Sequence, residues 1–119
     1  MIELPNEEYI QKDGVTYCTL LQIVKHTIGM DDYNSRHSPY IRHGKKYYRP
    51  WRNFFSSFRD DPVWEPLVAE GLAAKHEFET HITSNGLEMT TEGATYWLTR
   101  KGLDWLGRHL GITIYDEED

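Results

Sequence analysis

Residues 77–98 read EFETHITSNGLEMTTEGATYWL, and their period of two decides what kind of fold this chain can form. Phe78, Thr80 and Ile82 alternate with Glu77, Glu79 and His81, the pattern of a half-buried strand with a charged outer face. Asn85-Gly86 is a tight-turn signal because both residues accept a positive φ, so Leu87 to Thr91 are expected to return along the first strand. Glu92-Gly93 offers a second turn, after which Ala94, Tyr96 and Leu98 alternate with Thr95 and Trp97. A hairpin or a three-stranded meander is expected, and Ile112 and Ile114 can add a short terminal strand.

Outside that segment the apolar period is near 3.6, and four helices are expected. Tyr17, Leu20, Leu21, Val24 and Ile28 form the first stripe, with Thr16 as cap and Gly29 as terminator. Pro50 suits a first helical turn, and Trp51, Phe54, Phe55 and Phe58 recur at i, i+3, i+4 and i+7 as a core stripe. Its outward face would carry Arg52, Ser56 and Arg59. Asp61 and Pro62 signal a third helix with Trp64, Leu67, Val68 and Leu72 on one face, although Pro66 moves its regular start toward Glu65. The fourth is capped by Thr99, buries Leu103, Leu106 and Leu110, and ends at Gly111. Trp105 lies off that stripe, as an exposed contact or packed against residues 112–114.

The order helix, basic loop, helix, helix, hairpin, helix looks like a small winged-helix variant, an α+β domain whose hairpin would be the wing. Leu98-Thr99-Arg100-Lys101-Gly102 resembles the junction by which a wing returns to its domain. A miscellaneous α+β fold is the alternative. A second resemblance runs through residues 23–30, 48–55, 64–73 and 96–103, from Ile23-Val24-Lys25-His26 to Tyr96-Trp97-Leu98-Thr99-Arg100-Lys101-Gly102-Leu103. This series is similar to a family of small phage and prophage proteins of undefined activity. It implies origin on a mobile element and supplies no catalytic residues. The chain departs from that pattern in its long loop, Asp31 to Lys46.

Charge is unevenly distributed along the 119 residues. Lys25 to Arg59 holds eight Lys or Arg against Asp31 and Asp32, whereas the whole chain carries a formal −6. A basic loop, 31–49, therefore sits in an acidic protein that ends in an acidic tail, 115–119. Such polarity steers an anionic partner to one side of a small protein. Arg36, Tyr40, Arg42, Lys45, Lys46, Tyr48, Arg49, Arg52 and Arg59 are the expected partner-binding residues. Aromatic and cationic side chains interleave there, which suits base stacking beside a phosphate backbone and equally suits a protein interface built on Tyr and Arg.

The length fits one domain. A lone cysteine, Cys18, excludes an internal disulfide and favours a reducing compartment, so a cytoplasmic protein is expected. No apolar run reaches the roughly 18 residues of a membrane span, and Met1 to Glu8 lacks the features of a secretory signal. His26, His37, His43, His76, His81 and His109 form no compact metal-ligand array with Cys18. Asp31-Asp32 and Asp60-Asp61 are adjacent acids without a recognisable nucleophile, and no phosphate-cradling glycine loop is present. No cofactor and no catalysis are expected. The reading is a phage-encoded binding protein that engages a host or phage protein or nucleoprotein, including inhibition of an antiviral nuclease complex. A nucleic-acid-binding regulator is the alternative, and an unrecognised enzyme the third. Duplex docking through the third helix is disfavoured, because that helix offers Glu65 and Glu70 to the phosphates.

Overall fold

The computed structural model of the protein describes residues 2–30 and 38–115. Its order is β1 (Tyr9–Lys12), β2 (Val15–Cys18), α1 (Leu20–Thr27), β3 (Tyr40–Arg42), β4 (Lys45–Tyr48), β5 (Phe55–Ser57), α2 (Glu65–Ala69), β6 (Ala73–Ser84), β7 (Leu87–Leu98), α3 (Arg100–Leu110) and β8 (Thr113–Ile114). This is a mixed α+β fold in three small sheets, β1-β2, β3-β4-β8 and β5-β7-β6. All pairings are antiparallel except β4 with β8. Among the described residues no helix is long and apolar enough to cross a membrane.

Each of the three hairpins closes on two residues with positive φ. They are Asp13-Gly14, His43-Gly44 and Asn85-Gly86, with φ of 53° and 76°, 52° and 76°, and 51° and 77°. Turns of this hand match the twist of the strands they join. The expected turn at Asn85-Gly86 is present, but the hairpin runs twelve residues on each side, from Ala73 to Leu98. Glu92-Gly93 is not a turn. Gly93 lies within β7 opposite Phe78, where a Cβ would stand 2.6 Å from the Phe78 ring and 3.2 Å from the Ser57 carbonyl oxygen. Glycine is needed there for close approach of a ring.

Residues 50–58 do not form the expected helix. From Asn53 onward the burial alternates, Asn53, Phe55, Ser57 and Arg59 partly buried and Phe54, Ser56, Phe58 and Asp60 exposed, which is a period of two. The cause is Asn53. Its Nδ2 donates to the Leu98 carbonyl at 2.8 Å and its Oδ1 accepts from the Leu98 amide at 2.9 Å, so one side chain prolongs the β5–β7 ladder by a register step. The anticipated core stripe is thereby split, and Phe54 and Phe58 are 54% and 58% exposed. The predicted outward trio dissolves as well. The first helix is also shorter than expected, because Tyr17 and Cys18 belong to β2 and Thr19, rather than Thr16, is the N-cap.

The core gathers Leu21 and Val24 of α1, Leu67 of α2, Leu103 and Leu106 of α3, and Ala73, Ala94, Tyr96 and Leu98 from the base of the long hairpin. Trp64 is fully buried at its centre, stacked on Tyr96 at 5.5 Å and against Phe55 at 5.4 Å. The Thr99 hydroxyl accepts from the Gly102 amide, and Gly111 ends α3 in the left-handed region, as the sequence suggests. Trp105 is buried rather than exposed, and its Nε1 donates to the Ile2 carbonyl of the N-terminal segment at 3.0 Å.

A polar network borders this core. Glu65 Oε1 accepts from Lys75 Nζ at 2.7 Å and from the Tyr96 hydroxyl at 3.1 Å, and Lys75 reaches Glu77 at 3.2 Å. The Lys75 hydrogen bond holds the Glu65 carboxyl below its ordinary value of 4.5, and the same partner raises Lys75. Burial pushes the Tyr96 hydroxyl up. A depressed carboxyl contributes stability that is complete above pH 4.5 and is lost as pH falls through the folded value. Urea midpoints are therefore expected to drop below pH 4.5, and Glu65→Gln is expected to flatten that drop while lowering the midpoint at neutral pH. An unchanged acid limb in the variant would assign the pH dependence to other groups.

Candidate interaction face

The described part of the sequence-predicted basic loop, 38–49, is largely a hairpin. Strands β3 and β4 pair Tyr40 with Tyr47, Ile41 with Lys46 and Arg42 with Lys45, and β4 continues in parallel to β8 through Tyr47 with Thr113 and Tyr48 with Ile114. Cross-strand partners share a face and successive residues alternate. One face therefore carries Tyr40, Arg42, Lys45, Tyr47 and Thr113. The other carries Tyr48 and Ile114 into the core, with Ile41 and Lys46 beyond its edge.

On the first face the tyrosines form a ladder. Tyr40 and Tyr47 stack with ring centroids 5.7 Å apart and planes 24° from parallel, and Tyr47 stacks on Tyr115 at 5.6 Å and 12°. The rings turn their faces to one another, so edges, hydroxyls and the two outermost faces are what a partner meets. Arg42 and Lys45 sit beside them, both exposed. Among the described residues no carboxylate pairs with Arg42, Lys45 or Lys46. Next to the ladder, Gly44, Lys45, Lys46 and Thr113 join Gly107, Arg108, Gly111 and Ile112 around an open groove of about 430 Å³. Three cations border it with apolar and backbone atoms between them, a composition suited to an anionic polymer or an acidic segment.

The predicted binding residues divide into two groups. Tyr40, Arg42, Lys45 and Lys46 come together on this hairpin, and Arg49 is exposed just after it. Tyr48 does not face a partner, because it is fully buried with its hydroxyl donating to the Ile28 carbonyl at 3.3 Å. Arg52 fastens the segment before β5 to the end of α1. Its Nε donates to the His26 carbonyl at 3.0 Å and its guanidinium lies 4.7 Å over the Trp51 ring. Arg59 is equally engaged within the fold, reaching Glu77 at 3.5 Å and Glu92 at 3.6 Å and donating to the Phe78 carbonyl. Arg36 lies outside the described residues.

Tyr115 and Arg108 belong to this face but stand far along the chain from the loop, 31–49, that suggested it. The parallel β4–β8 pairing sets Tyr115 there and α3 carries Arg108; Ile112 and Ile114 signal a terminal strand, but no local pattern names β4 as its partner. Glu65 and Glu70 are not offered to a partner by a recognition helix. Glu65 is held by Lys75 and Tyr96, and α2 is only five residues long. Asp61, one of the adjacent acids, accepts from the Ser57 hydroxyl and from the Val63 amide, the role of a turn cap. Among the described residues no group of three or more His, Cys, Asp or Glu converges for a metal. His76 and His81 lie on opposite faces of β6. Comparison of the chain with protein-family models, curated proteins and solved structures finds no match.

Proposed function

We propose that this is a non-catalytic binding protein whose partner, an acidic protein or nucleoprotein, docks on the tyrosine face of the β3–β4 hairpin and its adjoining groove. The ladder Tyr40–Tyr47–Tyr115 beside Arg42 and Lys45 carries the reading. Mutual stacking fixes three large side chains in advance, so little rotamer entropy remains to be lost on binding. It also occupies the ring faces that unstacked bases would need, which favours a protein surface over single-stranded nucleic acid. Lys46 and Arg108 extend the positive surface along the groove. The likeness to small phage proteins is what brings antiviral nuclease complexes into the range of partners. The winged-helix likeness is one helix short, since residues 50–58 form no helix, and rests on α1, α2 and α3 with β6–β7 as the wing.

Reversal of Arg42 and Lys45 to glutamate is expected to leave thermal stability within about 0.5 kcal/mol, since exposed charges contribute little to folding. The same variant is expected to lose partner capture from lysate at ordinary salt. Capture by the wild type that persists after nuclease treatment supports a protein partner. Capture lost with nuclease, together with duplex or single-strand affinity that falls steeply with salt, would make the nucleic-acid reading lead. Undiminished capture by the reversed variant would remove the hairpin from the binding surface.

A further inference from the structure

The long hairpin β6–β7 extends beyond the rest of its sheet. Strand β5 pairs with β7 only as far as Ala94, so residues 78–84 and 87–93 form a two-stranded arm about 23 Å long. An isolated two-stranded ribbon is marginal in water unless something covers it. Its register separates two chemistries. One face holds Phe78, Ile82, Met89 and Leu87, which are 37%, 44%, 55% and 68% exposed. The other holds Glu79, Glu88 and Glu92, with Glu77 at its root.

We infer that the apolar face of this arm is a homodimer interface, in which two copies of the chain stack arm on arm, apolar face to apolar face, about a two-fold axis. The exposed parts of the four apolar side chains come to roughly 400 Å², the size of the largest apolar patch on a typical monomer, a patch that is often functional. With Thr80 and Thr91 between them, the strip approaches the lower end of what a specific interface needs on each side. Charge selects the occupant. On the reverse face Arg59 pairs with Glu77 and Glu92, and Glu79 and Glu88 keep that face acidic, which disfavours nucleic acid and anionic membranes, whereas stacking two apolar faces leaves both acidic faces in water. Burial selects the geometry. β6 is the outer strand of its sheet, but pairing two β6 edges would leave the apolar side chains of the arm in water, whereas stacking covers them.

The full chain is expected to sediment as a concentration-dependent dimer with a dissociation constant on the order of 1–100 μM. Ile82→Lys combined with Met89→Glu is expected to weaken dimerisation at least about tenfold while the circular dichroism is unchanged, because both side chains are exposed. Leu87→Lys, at the tip of the arm, is a second variant that leaves the body of the fold untouched and is expected to weaken it in the same direction. Arg42→Glu with Lys45→Glu is expected to dimerise normally, which separates this surface from the partner face proposed above. A wild-type chain that stays monomeric at several hundred μM overturns the inference. So does a dimer indifferent to the arm substitutions.

Discussion

Gly102→Ala is expected to destabilise the protein by about 3 kcal/mol or more, although in an isolated helix the same change would be favourable by about 1 kcal/mol. A Cβ at this position would stand 1.9 Å from the Leu72 carbonyl oxygen, a backbone atom that cannot turn aside. The clash forces α3 away from the chain entering β6. That movement breaks the Thr99 amide bond to the Leu72 carbonyl at 3.1 Å and loosens the Thr99 hydroxyl from the Gly71 carbonyl at 2.6 Å. Leu103 and Leu106, both buried, are displaced with it. The opposing signs make denaturant unfolding decisive, because a variant as stable as wild type or more so would mean that α3 does not approach Leu72 as described.

Trp64→Ala is expected to cost about 3–5 kcal/mol, the range for deleting a large buried aromatic, while Phe54→Ala is expected to cost less than about 1 kcal/mol. Trp64 is fully buried between Phe55 and Tyr96, and Phe54 is more than half exposed. A helical stripe through residues 51–58 would have made Phe54 a core residue of similar weight, so the contrast separates strand from helix in that segment. Trp64→Phe adds a finer test. Among the described residues the buried Trp64 Nε1 has no hydrogen-bond partner, and an unpaired buried donor costs about 1–3 kcal/mol. Replacing the indole by phenyl removes that cost together with some packing, so its loss is expected to be much smaller than that of alanine. Comparable losses for Phe and Ala would show that the indole nitrogen finds a partner in solution.

The readings that held were those in which local chemistry and tertiary packing point the same way. Asn85-Gly86 demands a tight turn, Thr99 and Gly111 bracket a helix by their caps, and Leu103 and Leu106 face the core. The spacing of Trp51, Phe54, Phe55 and Phe58 misled because i, i+3, i+4 and i+7 contains members of both faces of a strand. Two side-chain hydrogen bonds from Asn53 to Leu98, forty-five residues away, settle the matter, and no local pattern encodes them. Asp13-Gly14 is a legible turn signal of the same kind as Asn85-Gly86, yet Tyr17, in helical step with Leu20, Leu21 and Val24, draws the expected start of the first helix into what is β2. The hairpin tyrosines and cations were legible as a cluster. Their division into a ladder, a buried Tyr48 and the internal anchors Arg52 and Arg59 depends on register and long-range contacts. Gly93 shows the same limit, since only the Phe78 ring across the ladder distinguishes a packing glycine from a turn.

The arm and the tyrosine face make separable claims about where a partner of a different kind sits. Hydrogen–deuterium exchange on the protein with its captured partner, compared with the protein alone at the same concentration, reads both surfaces at once. Protection is expected across residues 40–48 and at 113–115, where the ladder and the groove lie, with little change in residues 78–93. Protection confined to the β6–β7 arm, with β3 and β4 exchanging as they do in the free protein, would contradict the assignment of the tyrosine face as the partner-binding surface.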